Sequence, residues 1–357
     1  MRVGICYNIE YHEDIHKSPS HYFGQILEQV DLLEELGYDT VWFSEHHSAR
    51  YSFGNPCVMA AAAAQRTRRI RIGTGVSLLP LRHPIMLAEE YAMLDVLSGG
   101  RLEYGVGRGY LMQEYDWLKI PVGESHSRYR ETVEFLIKAW SGEGPISHKG
   151  QHFDIEDWEC FPAPVQKPFP AIYASAGGSA SSLELAATWG LNMGTALFIP
   201  DREMLAGLIA EYRRQLRANG FDPATREVCG ITQMYCAESM EDAVRDGDQF
   251  ATNYYRFFAN LDAKARESTV PHAFATLRGR DMDAVNGVFL GDPENLRTRI
   301  SHERDTLGID LLLLEVAQGG APYDKVMSCL EIFGKQVLPA LQAKNHNLND
   351  APQAAAG

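Results

Sequence analysis

The sequence predicts an α/β fold, a closed (β/α)8 TIM barrel with insertions after the fourth and seventh strand–helix units. Three observations carry this expectation. Short apolar segments alternate with amphipathic helical segments in eight ordered pairs, the pattern of a parallel sheet covered by helices. No GxGxxG follows the first strand, which removes the main sign of the open, doubly wound alternative. Glycine-rich and polar motifs follow several different strands, and a closed barrel brings all such strand ends to one face.

Residues 3–7 form the first apolar strand. A helix over 22–36 places Phe23, Ile26, Leu27, Val30, Leu33 and Leu36 three or four residues apart, and Gly37 closes it. Residues 40–44 form the second strand, with Glu45, His46 and His47 just past its end. Pro56 opens a helix through the alanine run 60–64. Residues 70–79 form strand three, interrupted by Gly73 and Gly75; a helix over 84–97 ends at Gly99-Gly100. Strand four, 101–106, leads into Gly107-Arg108-Gly109, and 126–140 is helical. Residues 142–170, rich in Pro, Gly and aromatics, read as an inserted hairpin or loop. Strands at 171–175, 192–197 and 228–236 precede helices at 180–189, 201–219 and 240–260. Residues 261–292 form the second insertion. A helix over 292–307, a last strand at 311–315 and a helix over 323–341 complete one domain, residues 1–341. Residues 342–357 form a tail expected to be disordered.

The 357 residues carry a net charge of −14, which argues against a nucleic-acid or anionic membrane partner. No apolar run of spanning length occurs, and the first residues lack the apolar core of an export signal. Six scattered cysteines read as reduced thiols of a cytoplasmic protein.

Several segments resemble the bacterial-luciferase-like family of flavin monooxygenases. They are WFSEHH at 42–47, GNP at 54–56, IGTGVSLLPLRHP at 72–84, LDVLSGGRLEYGVGRGY at 94–110 and PAPVQKPFPAIYASAGGSASSLELAATWGLNM at 162–193. The last strand and its helix also match; the insertions do not. The resemblance implies a monooxygenase that uses reduced FMN and O2 through a C4a-peroxyflavin to oxygenate a small organic substrate. A separate NAD(P)H:flavin reductase would supply the reduced flavin, since no nicotinamide fingerprint occurs in this chain. It further implies a dimer, of identical or related barrels, in which the alanine run 60–64 is a candidate contact; an intrachain helix contact explains the same run.

His46 is the candidate catalytic acid/base, because imidazole titrates near neutral pH. Glu45 is a candidate to orient an imidazole or to pair with Arg50 or Arg82. The adjacent His46 and His47 point opposite ways on an extended chain, which argues against a metal site. Arg108 offers a planar cation to a phosphate; by the resemblance it contacts the FMN phosphate. Some luciferases carry a reactive cysteine where Gly107 stands. Gly177, Gly178, Ser179 and Ser182 lie at a helix start, where backbone N–H groups attract anions, although relatives often carry Glu-Ser at 178–179. Gly75 and Val76 flank the bond that the resemblance makes cis, against one face of the flavin. Tyr7, Tyr110, Phe198 and Tyr254 are candidates for the substrate pocket, with Tyr255, Phe257 and Phe258 beside them and the second insertion as a lid. A hydride-transferring enzyme of deazaflavin F420 on the same barrel is the alternative, and a non-catalytic flavin-binding barrel a third. The substrate stays open among aldehydes, ketones, aromatic or N-heterocyclic rings and sulfur compounds.

Overall fold

The structure is a computed structural model that describes residues 1–47, 50–176, 180–198, 201–263 and 276–343. Its strands are β1 (Arg2–Tyr7), β2 (Thr40–Phe43), β3 (Arg71–Thr74), β4 (Ser77–Leu78), β5 (Leu102–Gly107), β6 (Ile146–Lys149), β7 (Asp154–Trp158), β8 (Ala171–Ser175), β9 (Asn192–Ala196), β10 (Val228–Cys236), β11 (Val288–Gly291) and β12 (Leu311–Glu315). The main helices are α1 (Pro19–Leu36), α2 (Pro56–Arg66), α3 (Pro84–Ser98), α4 (Met112–Leu118), α5 (Ser125–Ser141), α6 (Ala180–Thr188), α7 (Arg202–Ala218), α8 (Met240–Ala263), α9 (Gly279–Asp283), α10 (Pro293–Leu307), α11 (Tyr323–Gln336) and α12 (Leu338–Gln342).

Strands β1, β2, β3, β5, β8, β9, β10 and β12 pair in parallel in that order, and β12 returns to β1. This is the predicted closed eight-stranded barrel. Helix boundaries follow side-chain chemistry. Ser18, Asn55, Asp201 and Asp292 cap α1, α2, α7 and α10 by accepting from backbone N–H groups. Gly37 ends α1 at φ 83°, a left-handed conformation that glycine adopts without cost.

The period of two decides which side chains enter the barrel. On β1, Val3, Ile5 and Tyr7 join the layer between strands and helices, whereas Cys6 turns inward with Trp42, Tyr173, Cys229, Leu311 and Leu313. These inward residues plug the barrel. Below them, Glu103 takes Arg2, Arg71 Nε at 2.7 Å, Thr40 Oγ1 at 2.7 Å and Trp42 Nε1 at 3.1 Å. Above them the barrel is open.

Four elements depart from expectation. The third strand is two pieces, β3 and β4, and the Gly75–Val76 peptide between them is cis, as the resemblance implies. Helix α4 follows Arg108 where no element was expected. The first insertion contains the antiparallel hairpin β6–β7, one of the two forms expected for it. In the second, residues 264–275 lie outside the described set, and the rest forms α9 and β11, which extends the sheet by pairing with the end of β10. The final helix divides into α11 and α12 at Val337, because Pro339 lacks the N–H that would continue the ladder. The predicted tail lies almost wholly outside the described residues. No described helix is long and apolar enough to cross a membrane.

Candidate active site

A cavity of about 710 Å³ opens at the C-terminal ends of the barrel strands. His46, Gly75, Val76, Arg108, Tyr110, Ser182, Phe198 and Tyr254 all line it. Gly177, Gly178 and Ser179 lie outside the described residues. Tyr7 does not line the cavity: the strand alternation turns it outward, where it is 1% exposed and stacks on Phe43 at 5.8 Å. The next residue, Asn8, lines the cavity instead. Phe257 also stays off the wall and packs on Tyr51 at 5.7 Å.

His46 follows β2 and is 6% exposed. Its Nδ1 lies 3.2 Å from Glu114 Oε1 on α4, and that same oxygen accepts from His47 N at 2.7 Å. Because this oxygen already accepts from His47 N, it takes the imidazole contact as an acceptor too, which places the ring proton on Nδ1. Nε2 is then the acceptor for Tyr110 Oη at 3.2 Å. The ring stacks on Tyr51 at 4.6 Å, which fixes its plane. Glu114 is fully buried, and sequence reasoning missed it; an acid in the segment after strand four is its only sequence signal.

Glu45 serves the other histidine. Its Oε1 lies 3.0 Å from His47 Nε2, and its Oε2 accepts from Ser77 Oγ and Leu78 N, each at 3.1 Å. Donation to the Glu45 carboxylate raises the His47 pKa above the ordinary imidazole value. Arg50 and Arg82, the suggested partners of Glu45, pair with Glu13 and Glu90. His46 and His47 thus divide, one into the cavity and one into the wall. Among the described residues no cluster of three His, Cys, Asp or Glu side chains forms a metal-holding group.

Arg108 lines the cavity half-buried and has no carboxylate partner among the described residues. A Cβ at Gly107 would meet Val76 Cγ2 at 2.5 Å, so the wall beside Arg108 has no room for a side chain on that residue. His126, at the start of α5, was not anticipated either. Burial and then Arg108 and Arg130 lower its pKa, and its Nε2 has no partner among the described residues. From α8, Tyr254, Tyr255 and Phe258 close the cavity with aromatic surface. Tyr254 stacks on Phe258 at 5.9 Å, and Phe258 meets Tyr110 at 5.7 Å.

A family model, luciferase-like monooxygenase, matches residues 1–310. The chain belongs to the luciferase-like monooxygenase family. It is 29% identical over 266 residues to the oxygenase component of a flavin-dependent trigonelline monooxygenase from Acinetobacter baylyi, covering 73% of this chain and 70% of that one. Among solved structures, the monooxygenase RslO1 from Streptomyces bottropensis superposes with a TM-score of 0.84 at 28% identity, covering 96% and 100% of the two chains. An F420-dependent secondary alcohol dehydrogenase superposes with a TM-score of 0.75 at 19% identity, covering 95% and 98%. That likeness shows the shared barrel alone, so membership in the luciferase-like fold leaves the choice of cofactor to the site residues.

Proposed function

We propose that this chain is the oxygenase of a two-component system that uses reduced FMN and O2 to oxygenate a small organic substrate, the reduced flavin coming from a separate NAD(P)H:flavin reductase. The observation that carries this reading is Arg108, a guanidinium on the cavity wall with no carboxylate partner among the described residues. A half-buried cation without a carboxylate asks for an anionic ligand group. Arg108 would hold the flavin phosphate, with Ser182 in the first turn of α6 beside it. Gly75 and Val76 would form a wall against the ring system. Bound reduced flavin supplies the electrons that activate O2.

His46 moves the proton. With Nδ1 held by Glu114, Nε2 takes a proton from the reacting group or returns one, and Tyr110 Oη fills the position when none is needed. Tyr254, Tyr255 and Phe258 exclude water from that exchange. We also place the enzyme in the cytoplasm, as a dimer joined through α2 and α3. Those helices expose Val58, Met86, Met93, Val96 and Leu97, whereas Ala60, Ala63 and Ala64 are buried within this chain.

The test is to mix the protein with reduced FMN and then with aerated buffer. The protein should bind reduced FMN and slow its oxidation by O2 to FMN, and with it the release of H2O2. Arg108→Ala should weaken binding roughly 10- to 100-fold, the worth of one charged hydrogen bond. Failure to bind FMN, together with binding of reduced F420, would replace this reading with hydride transfer.

A further inference from the structure

Around the eight-stranded ring β5 is fourth and β12 is eighth, so Arg108, just past β5, and Glu315, on β12, enter the same cavity from opposite sides of the barrel. The two ends differ in kind. The Arg108 end offers a cation, and the Glu315 end offers acceptors. Gln318 Nε2 donates to the Asn8 carbonyl at 3.0 Å and to Glu315 Oε2 at 2.9 Å. A backbone carbonyl and an ionised carboxylate can only accept, so the Gln318 amide has one possible orientation. Its Oε1 must then accept from Gln233 Nε2, as observed. That turns Gln233 Oε1 the other way, and this oxygen has no partner among the described residues although Gln233 is only 8% exposed. Asn8 repeats the pattern. Its Nδ2 donates to Tyr51 Oη at 3.0 Å and Tyr254 Oη at 3.2 Å, and its Oδ1 is left without a partner among the described residues.

The amide donors of Gln318 and Asn8 are therefore spent, and two amide oxygens and the Glu315 carboxyl stand on the wall of one cavity. We propose that this end is a recognition site for a nitrogen cation, so that the substrate carries a protonated amine, amidinium or similar multi-donor group held by Glu315, Gln233 and Asn8. The proposal rests on the monooxygenase reading of the same cavity. Alkanals, simple ketones and hydrocarbons bring no donor; they would leave the two amide oxygens unpaired and the Glu315 carboxyl with Gln318 alone among the described residues. The faces of Tyr254, Tyr255 and Phe258 line the same cavity and suit a cation as well. Burial pushes the Glu315 carboxyl up to about 7, against the hydrogen bond from Gln318; a bound cation would hold it ionised.

The experiment is calorimetric titration of the full chain with benzamidinium, benzamide, acetophenone and benzoate, each with and without FMN. Benzamidinium should bind at least about tenfold tighter than the other three, and Glu315→Gln should cost it about tenfold or more. Gln233→Met should cost benzamidinium a smaller factor. Equal affinities in the wild type, or a preference that survives Glu315→Gln, would overturn the proposal. The wild-type ranking decides even if the variant does not fold. FMN binding without the amidinium preference removes this proposal alone; the preference without FMN binding removes the flavin reading alone.

Discussion

Glu114 determines what His46 can do. The carboxylate is fully buried, and the imidazole is wedged between it and the ring of Tyr51. His46→Ala should lower product formation about 10²- to 10⁴-fold, the usual worth of a positioned acid/base. FMN affinity should not fall with it, because the proposed phosphate contacts lie at Arg108. Glu114→Gln should give a smaller loss in kcat and divert reduced flavin toward H2O2, since an amide can present either N–H or oxygen to Nδ1 and no longer fixes the tautomer. Stopped-flow oxidation combined with product and peroxide yields checks both, and full coupling in Glu114→Gln would remove its positioning role. His46 was legible in the sequence because its motif follows a strand. Glu114 was not, because it lies 68 residues away on a short helix that carries no periodic signal. Tyr7 and Asn8 show a finer lesson. The residue type suggested Tyr7 for the pocket, but strand alternation, equally visible in the sequence, assigns that place to Asn8.

At the scale of elements, the parallel strands and their covering helices were legible because apolar periodicity and capping residues agree at most boundaries. The misses have a common cause: the pairing partner decides, and it is distant in sequence. Strand β11 exists because Val288–Gly291 meets the end of β10, whereas the break between β3 and β4 falls at the Gly75–Val76 bond that the resemblance marked. The same dependence on distant partners makes the barrel floor sensitive. Glu103 on β5 is 1% exposed; burial alone would raise its pKa, but Arg2 and Arg71 hold it below the ordinary carboxylate range. Glu103→Ala removes the anion that joins β1, β2, β3 and β5, leaving Arg71 without its ion pair and Arg2 with Glu227 alone. A loss of about 3–5 kcal/mol is expected, as for other broken buried pairs, read from the urea midpoint. A change below about 0.5 kcal/mol, the ordinary surface value, would show that Thr40 and Trp42 suffice to hold the floor.

For the whole molecule, two features bear on association and on pH. Met86, Met93 and Leu97 recur at helical spacing on the outer side of α3, beside the exposed Val58 of α2. Light scattering should give a dimer, and Met93→Glu with Leu97→Lys should give a monomer that still binds FMN; a monomeric wild type would refute the interface. The pH response arises where β1 meets the loop after β12. Glu10 is 1% exposed, and both of its carboxyl oxygens accept from Gly319 N at 3.1 Å. Burial pushes its carboxyl up to about 8, with the Glu315 charge adding to the rise and the backbone hydrogen bonds opposing it. An unfolded glutamate titrates near about 4.3. Between these values the folded chain holds a proton that the unfolded chain has lost, so stability falls as pH rises. The contribution is complete below the unfolded value, shrinks through neutral pH, and is gone once Glu10 ionises in the fold above about 8. Glu315, raised to about 7, acts in the same direction over a narrower window. Melting temperature should therefore decline from pH 5.5 to 8.5 in the wild type, with a visibly shallower slope in Glu10→Gln, whose neutral amide keeps an acceptor for Gly319 N. Parallel slopes for the two proteins would mean that Glu10 is already ionised in the fold at pH 5.5.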